Sequence, residues 1–176
     1  MKDITLIDKP KGVSAFKIVA QVRKLYGIKK VHHAGTLDAF SSGLLILGAG
    51  IEGTKKTDRL QNDAATYEIT ARLGLQTTTG DVDGEVIRRL PVKPVTQAQV
   101  ELVLKDMLGK FVLPVPKYTA IKQGGEAMYR RVRRGEELDP PMRTIAITDA
   151  LFRSITPSKE GIDVAVVLTI KGGPYI

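Results

Sequence analysis

Cysteine and tryptophan are absent from this sequence, histidine occurs only twice, and aromatic residues make up 5% of it. Without cysteine, the chain can form neither a disulfide bond nor a thiolate metal site. His32 and His33 are the only imidazole ligands available, so we expect no metal site.

Long apolar runs are also missing. No stretch approaches the roughly 20 apolar residues that a membrane-spanning helix needs, and the chain begins without the apolar segment of a secretory signal peptide. We therefore expect a cytoplasmic protein with no membrane partner. Apolar residues still form 43% of the 176 residues, which is enough for a packed core.

Acidic residues are missing from positions 9–30, which carry seven basic side chains: Lys9, Lys11, Lys17, Arg23, Lys24, Lys29 and Lys30. A second basic cluster, opposed only by Glu126, consists of Lys117, Lys122, Arg130, Arg131, Arg133 and Arg134. The formal net charge is +8. Two such clusters indicate a surface that contacts nucleic-acid phosphates, although from charge alone a generic basic surface explains them equally well.

Helical and strand-like patterns alternate without the regular rhythm of a parallel sheet. Apolar residues at helical spacing predict helices over residues 15–26, 53–60, 97–108 and 126–134. Alternating or β-rich runs predict strands over residues 4–7, 43–48, 67–73, 85–87, 144–152 and 162–170. We expect 43–48 to be buried, 67–73 to pair with 85–87, and 29–38 to be a loop. This mixture predicts an α+β fold with a mixed, mostly antiparallel sheet flanked by helices.

One carboxylate, Asp38, follows the acid-free segment and precedes the apolar run 43–48. A loop residue held by a rigid scaffold is a common catalytic arrangement. Taken alone, however, Asp38 beside two serines is better explained as a helix N-cap, and His33 as an ordinary loop histidine. Upstream, Pro10 and Gly12 predict a turn that displays Lys9 on a loop.

Several ordered motifs outweigh these alternatives, and they cover essentially the whole chain: Leu6–Ser14, His33–Asp38, Gly53–Lys55, Tyr67, Gly74–Gly84, Tyr118–Lys122 and Lys171–Ile176. Together they resemble the TruB family of RNA pseudouridine synthases. The resemblance implies an enzyme that isomerises uridine 55 of tRNA to pseudouridine, after the base has been flipped out of the RNA. It implies no cofactor and no metal, and tRNA as the partner through its T-arm; we expect a monomer.

The resemblance also implies roles for individual residues. Asp38 matches the catalytic aspartate, which serves either as nucleophile at C1′ or as base at C2′ of the ribose. The substrate-binding positions that it implies are His33, which helps to extrude the base, Tyr67, which stacks on it, Tyr175, which walls the pocket, and the basic residues Lys9 and Lys122, which lie near the RNA.

The same resemblance implies that residues 1–176 are one pseudouridine synthase catalytic domain, incomplete at its C-terminus and without the PUA module. The arginine expected directly after Ile176 is not in the sequence. Two other functions therefore stay open. The chain could bind or fold tRNA without turnover, or it could be a synthase for another RNA.

Overall fold

The structure is a computed structural model that describes residues 3–60, 63–119 and 121–172. The chain divides into two compact units, residues 1–63 and 64–176. Each unit has a sheet and a core of its own and is described by itself. None of the helices in the described residues combines the length and the apolar character needed to cross a membrane.

The described part of the first unit contains, in chain order, β1 (Ile4–Lys9), α1 (Ala15–Tyr26), β2 (Val31–His33), β3 (Gly43–Ala49) and α2 (Gly50–Leu60). Its three strands form an antiparallel sheet in the order β1-β3-β2. The prediction of a loop over residues 29–38 is wrong for residues 31–33, which form β2. This strand is too short to show a period, and its pairing with β3 stabilises it.

Helix α1 has the bounds that the sequence predicts, because both of its ends are capped locally. The Ser14 side chain accepts a hydrogen bond from the Lys17 N–H at 3.3 Å. Gly27 ends the helix with a φ of 65°, a left-handed conformation that glycine adopts without steric penalty. The apolar face of α1 packs on β2 and β3 in a core formed by Ala15, Ile18, Val19, Val22, Val31, Leu45 and Leu47.

Strand β3 is mostly buried, in agreement with the predicted buried strand. Leu45 and Leu47 are buried against α1, and Gly48 on the opposite face is buried as well, whereas Leu44 near the start of the strand is 60% exposed. Beyond β3, helix α2 begins at Gly50, earlier than predicted. A Cβ on Gly53 would overlap the Asp3 carbonyl oxygen. Glycine therefore allows α2 to lie directly against the sheet.

The second unit contains ten elements within the described residues: β4 (Ala65–Leu73), β5 (Leu75–Thr77), β6 (Val86–Arg89), α3 (Gln97–Asp106), β7 (Gly109–Pro114), β8 (Lys122–Gln123), β9 (Glu126–Ala127), α4 (Met128–Arg133), β10 (Met142–Ser158) and β11 (Gly161–Lys171). Its main sheet is antiparallel with the order β4-β11-β10-β7. Hairpins β5–β6 and β8–β9 stand outside that sheet.

Strand β4 pairs along its whole length with β11, where Tyr67 faces Leu168. The predicted pairing of 67–73 with 85–87 is therefore wrong, and β6 pairs with β5 instead. Hydrogen bonds from β11, about ninety residues further along the chain, satisfy the β4 backbone, and no local pattern could indicate them.

Helix α3 covers one face of this sheet. Thr96 and Gln99 form a reciprocal capping box at its start. Val100 and Leu104 pack with buried residues of β10 and β11: Ile147, Val164, Val166, Leu168 and Ile170. Helices on antiparallel sheets confirm the predicted α+β class.

Candidate functional site

Asp38 lies in the loop between β2 and β3 of the first unit, and it is exposed. Its backbone carbonyl accepts a hydrogen bond from the Ser41 N–H at 3.1 Å, which closes a tight turn. Residues 34–42 contain no helix, so Asp38 is not a helix N-cap. The turn places Asp38 at an exposed position of the loop that connects β2 to β3.

Lys9 is fully buried at the end of β1. Its ammonium group donates to three backbone carbonyls, those of Pro10 at 3.1 Å, Val13 at 2.8 Å and Ser41 at 2.6 Å. The expectation that Lys9 is displayed on a loop is wrong, because Lys9 is the last residue of β1 and its side chain is buried. Its buried ammonium group is satisfied by hydrogen bonds to backbone carbonyls. Its place near bound RNA stays a prediction.

A second hydrogen bond joins the segment after β1 to the loop that carries Asp38. Gly12, with a φ of 81°, turns the chain after β1 so that its N–H donates to the Ala39 carbonyl at 2.7 Å. Together with the bond from Lys9 to Ser41, it holds two residues of the tight turn that begins at Asp38. The structure therefore holds the backbone at Asp38 through contacts from residues 9–12, which sequence patterns do not reveal.

His33 is the last residue of β2 and pairs with Leu47 of β3. Burial lowers the pKa of its imidazole below the ordinary value of 6.5; a backbone hydrogen bond with Gly35 opposes this, and the charge of His32 adds to it. The imidazole is therefore neutral at neutral pH, and it stands at the start of the loop that bears Asp38.

Tyr67 belongs to the second unit, in β4, and is half-buried. Burial raises the pKa of its hydroxyl, so the ring stays uncharged at neutral pH. Alternation along β4 puts Tyr67 on the same face as Ile69, Ala71 and Leu73. Those three residues line an apolar cavity of about 810 Å³ beneath α3.

Of the other predicted residues, Lys122 is exposed in β8, while Tyr175 lies outside the described residues. The structure thus brings Lys9, His33 and Asp38 onto adjoining segments of the first unit, and it places Tyr67 and Lys122 in the second. Their roles stay predictions.

Part of the second basic cluster forms ion pairs with neighbouring carboxylates. Glu136, which lies two residues after Arg134, accepts hydrogen bonds from Arg131 and Arg134 at 2.7 Å each. Glu126 accepts two more from Arg134. Two arginines of the cluster are therefore paired, and extending the count by two residues would have revealed the second acid.

Comparison with known proteins assigns the chain to a family. A family model described as the N-terminal domain of TruB family pseudouridylate synthases matches residues 23–176. The chain is similar to tRNA pseudouridine synthase B of Geobacillus kaustophilus (strain HTA426), with 38% identity over 148 residues, 84% of this chain and 52% of the relative. The corresponding protein of Thermobifida fusca (strain YX) is 34% identical over 177 residues, 98% of this chain and 60% of that protein.

Solved structures share the fold. The chain superimposes on a chain of a Cbf5-Nop10-Gar1 complex with a TM-score of 0.66 and 21% identity, covering 98% of this chain and 40% of that one. An H/ACA RNP bound to a substrate RNA containing 2′-deoxyuridine gives a TM-score of 0.63 at 18% identity, covering 98% and 38%.

This chain belongs to the TruB family of pseudouridylate synthases. It spans about half the length of the curated relatives that it matches, between 52% and 60% for those of Geobacillus, Thermobifida and Methylobacillus.

Proposed function

We propose that this protein isomerises uridine to pseudouridine in tRNA, and that Asp38 supplies the reacting carboxylate. The observation that carries the proposal is the exposed position of Asp38 on a tethered loop, in a chain of the TruB family. Relatives that cover most of this chain bear the name tRNA pseudouridine synthase B.

The reaction breaks the N1–C1′ bond of uridine, turns the base, and rejoins it to the ribose through C5. The hydrogen on C5 leaves as a proton, and N1 ends with a proton. A carboxylate serves this exchange either by attacking C1′ or by removing the proton on C2′. In both cases the oxygen atoms must reach the ribose, and an exposed aspartate on a fixed turn meets this requirement.

The target base must leave its stack before the reaction, at a cost of a few kcal/mol. We propose that Tyr67 offsets much of that cost by stacking on the flipped base, an interaction that contributes about 1–3 kcal/mol per base. Its half-buried, uncharged ring supports this role. We propose that His33 helps to extrude the base. Burial lowers the pKa of its imidazole, so the group is neutral and adds no charge beside the RNA.

The finer assignments form part of the same proposal. The target is uridine 55 in the T-arm, Lys122 contacts the RNA, Lys9 lies near it, and Tyr175 walls the base pocket. Residues 1–176 belong to one catalytic domain, and the protein acts as a cytoplasmic monomer. The exposure of Lys122 supports contact with phosphate.

The test uses a tRNA transcript labelled with tritium at C5 of its uridines. Formation of the C5–C1′ bond releases the label to water, and a matched transcript with cytidine at position 55 is the control. We expect release from the first transcript and background from the second. Equal release from both would exclude position 55 as the target, and tight, salt-sensitive binding without release would favour a tRNA-binding module.

A further inference from the structure

The four arginines around α4 divide into two pairs with different surroundings. Arg131 donates through Nε to Glu136 at 2.7 Å and through Nη1 to the Gln123 carbonyl at 3.2 Å. Arg134 donates two hydrogen bonds to the Glu126 carboxylate, at 2.7 and 2.8 Å, and another to Glu136. This paired set fastens the β8–β9 hairpin to the end of α4.

The paired carboxylates are firmly ionised. Hydrogen bonds from Arg134 lower the pKa of Glu126 below its ordinary value, and those from Arg131 and Arg134 lower that of Glu136. Most of the charge on these two arginines is therefore balanced within the segment of residues 122–136, which we call the hairpin–helix segment.

Arg130 and Arg133 have a different partner, the ring of Tyr129. Their guanidinium carbons lie 5.8 and 5.7 Å from the ring centroid, which is within the range of cation–π attraction. Arg130 also donates through Nε to the Tyr129 hydroxyl at 3.1 Å. Both arginines are exposed, and among the described residues neither forms a salt bridge.

A guanidinium group held against an aromatic ring keeps its outer N–H groups free for an acceptor. Its planar fork matches the two free oxygens of a phosphodiester, and the ring restricts its rotation before any ligand arrives. Lys117, before the hairpin–helix segment, and Lys122, at its first position, add exposed positive charge. Two guanidinium groups held on one ring therefore offer two pre-positioned forks for the phosphates of a nucleic-acid strand.

We propose that Arg130 and Arg133, held on Tyr129, contact phosphates of the RNA substrate, and that Arg131 and Arg134 are positioning residues that do not contact it. This inference rests on the proposed function for the identity of the RNA. It divides a cluster that sequence alone treats as uniform.

The test measures tRNA binding by fluorescence anisotropy as a function of salt concentration, because each phosphate contact contributes about 0.7–0.9 to the slope of log affinity against log salt. The double variant Arg130→Gln/Arg133→Gln should lower that slope by about 1.4–1.8. Arg134→Gln removes the same kind of charge from the paired set, and it should lower the slope by less than about half of one contact.

A structural readout separates positioning from contact. Backbone amide hydrogen exchange over residues 122–136 should be faster in Arg134→Gln than in the parent chain, because the hairpin–helix segment has lost the bonds from Arg134 to Glu126 and Glu136. Exchange in the double variant should stay close to that of the parent. An unchanged slope in the double variant would overturn the inference. So would an Arg134→Gln slope that falls by a full contact while amide exchange stays at the parent's rate.

Tritium release, measured on the same preparations, distinguishes this inference from the proposed function. Release by the parent chain together with an unchanged slope in the double variant overturns the inference alone. Binding with the expected slope change but no release overturns the proposed function alone. A parent chain that does not bind tRNA overturns both.

Discussion

Replacing Lys9 tests whether its hydrogen bonds hold the loop that carries Asp38. Lys9→Met keeps the length of the aliphatic stem and removes the ammonium group, which leaves the carbonyls of Pro10, Val13 and Ser41 without this donor. Hydrogen bonds to a charged group contribute about 1.5–3 kcal/mol each. Removing a buried charge also relieves a desolvation penalty of several kcal/mol, so the sum of three bonds overstates the loss.

We expect Lys9→Met to lower the free energy of unfolding by about 3 kcal/mol. In urea this shifts the midpoint of the circular dichroism transition down by about 1–3 M. The matched control is Lys11→Met, which removes an exposed lysine two residues further on and should change stability by no more than about 0.5 kcal/mol.

The same two variants distinguish two roles for Lys9, a buried structural one and a direct contact with phosphate. Lys9→Met should lower the rate of pseudouridine formation, because the turn at Asp38 loses its bond through Ser41, while the salt slope of tRNA binding stays that of the parent. Equal stability of the two variants would refute the reasoning. If the salt slope of tRNA binding falls by about one phosphate contact in Lys9→Met, Lys9 contacts the RNA after all.

Two further predictions concern the first unit. The pKa of His33 is lowered in the folded state, so below about pH 6.5 the unfolded chain binds a proton that the folded chain resists, and stability falls as the pH falls. His33→Asn should reduce this loss of stability below about pH 6.5, and an unchanged pH dependence there would contradict this cause. Gly53→Ala should destabilise by about 1–3 kcal/mol, because the new methyl group meets backbone atoms of Asp3 and Gly48. Ile51→Ala, at an exposed position of the same helix, should change the urea midpoint little, and similar midpoints for these two variants would argue against tight packing.

Sequence patterns predicted elements whose ends are determined locally. Ser14 and Gly27 cap α1 within one turn of its ends, and the helix has the predicted bounds. The failures involve distant partners. Strand β4 pairs with β11 rather than with the nearer β6, because a period of two shows that a segment is a strand and not which strand lies beside it.

The candidate site shows the same division. The sequence around Asp38 predicted that this residue lies on a loop, which the structure confirms, since that information is contained in a few consecutive residues. The role of its carboxylate stays a prediction. The burial of Lys9 depends on the Ser41 carbonyl, 32 residues away, and the turn signals at Pro10 and Gly12 predicted the opposite. In the arginine cluster, the sequence identified the basic residues but the count of opposing acids missed Glu136, and only side-chain geometry shows which arginines are paired.

The most direct test of the central claim compares Asp38→Asn with Asp58→Asn, a substitution at an exposed aspartate of α2, in tritium release from labelled tRNA. Loss of the reacting carboxylate removes the nucleophile or base itself. We expect Asp38→Asn to bind tRNA with the parent's affinity and to release no label above background, while Asp58→Asn releases it at the parent's rate. Release by Asp38→Asn at a rate comparable to the parent's would contradict the assignment of Asp38 as the reacting carboxylate.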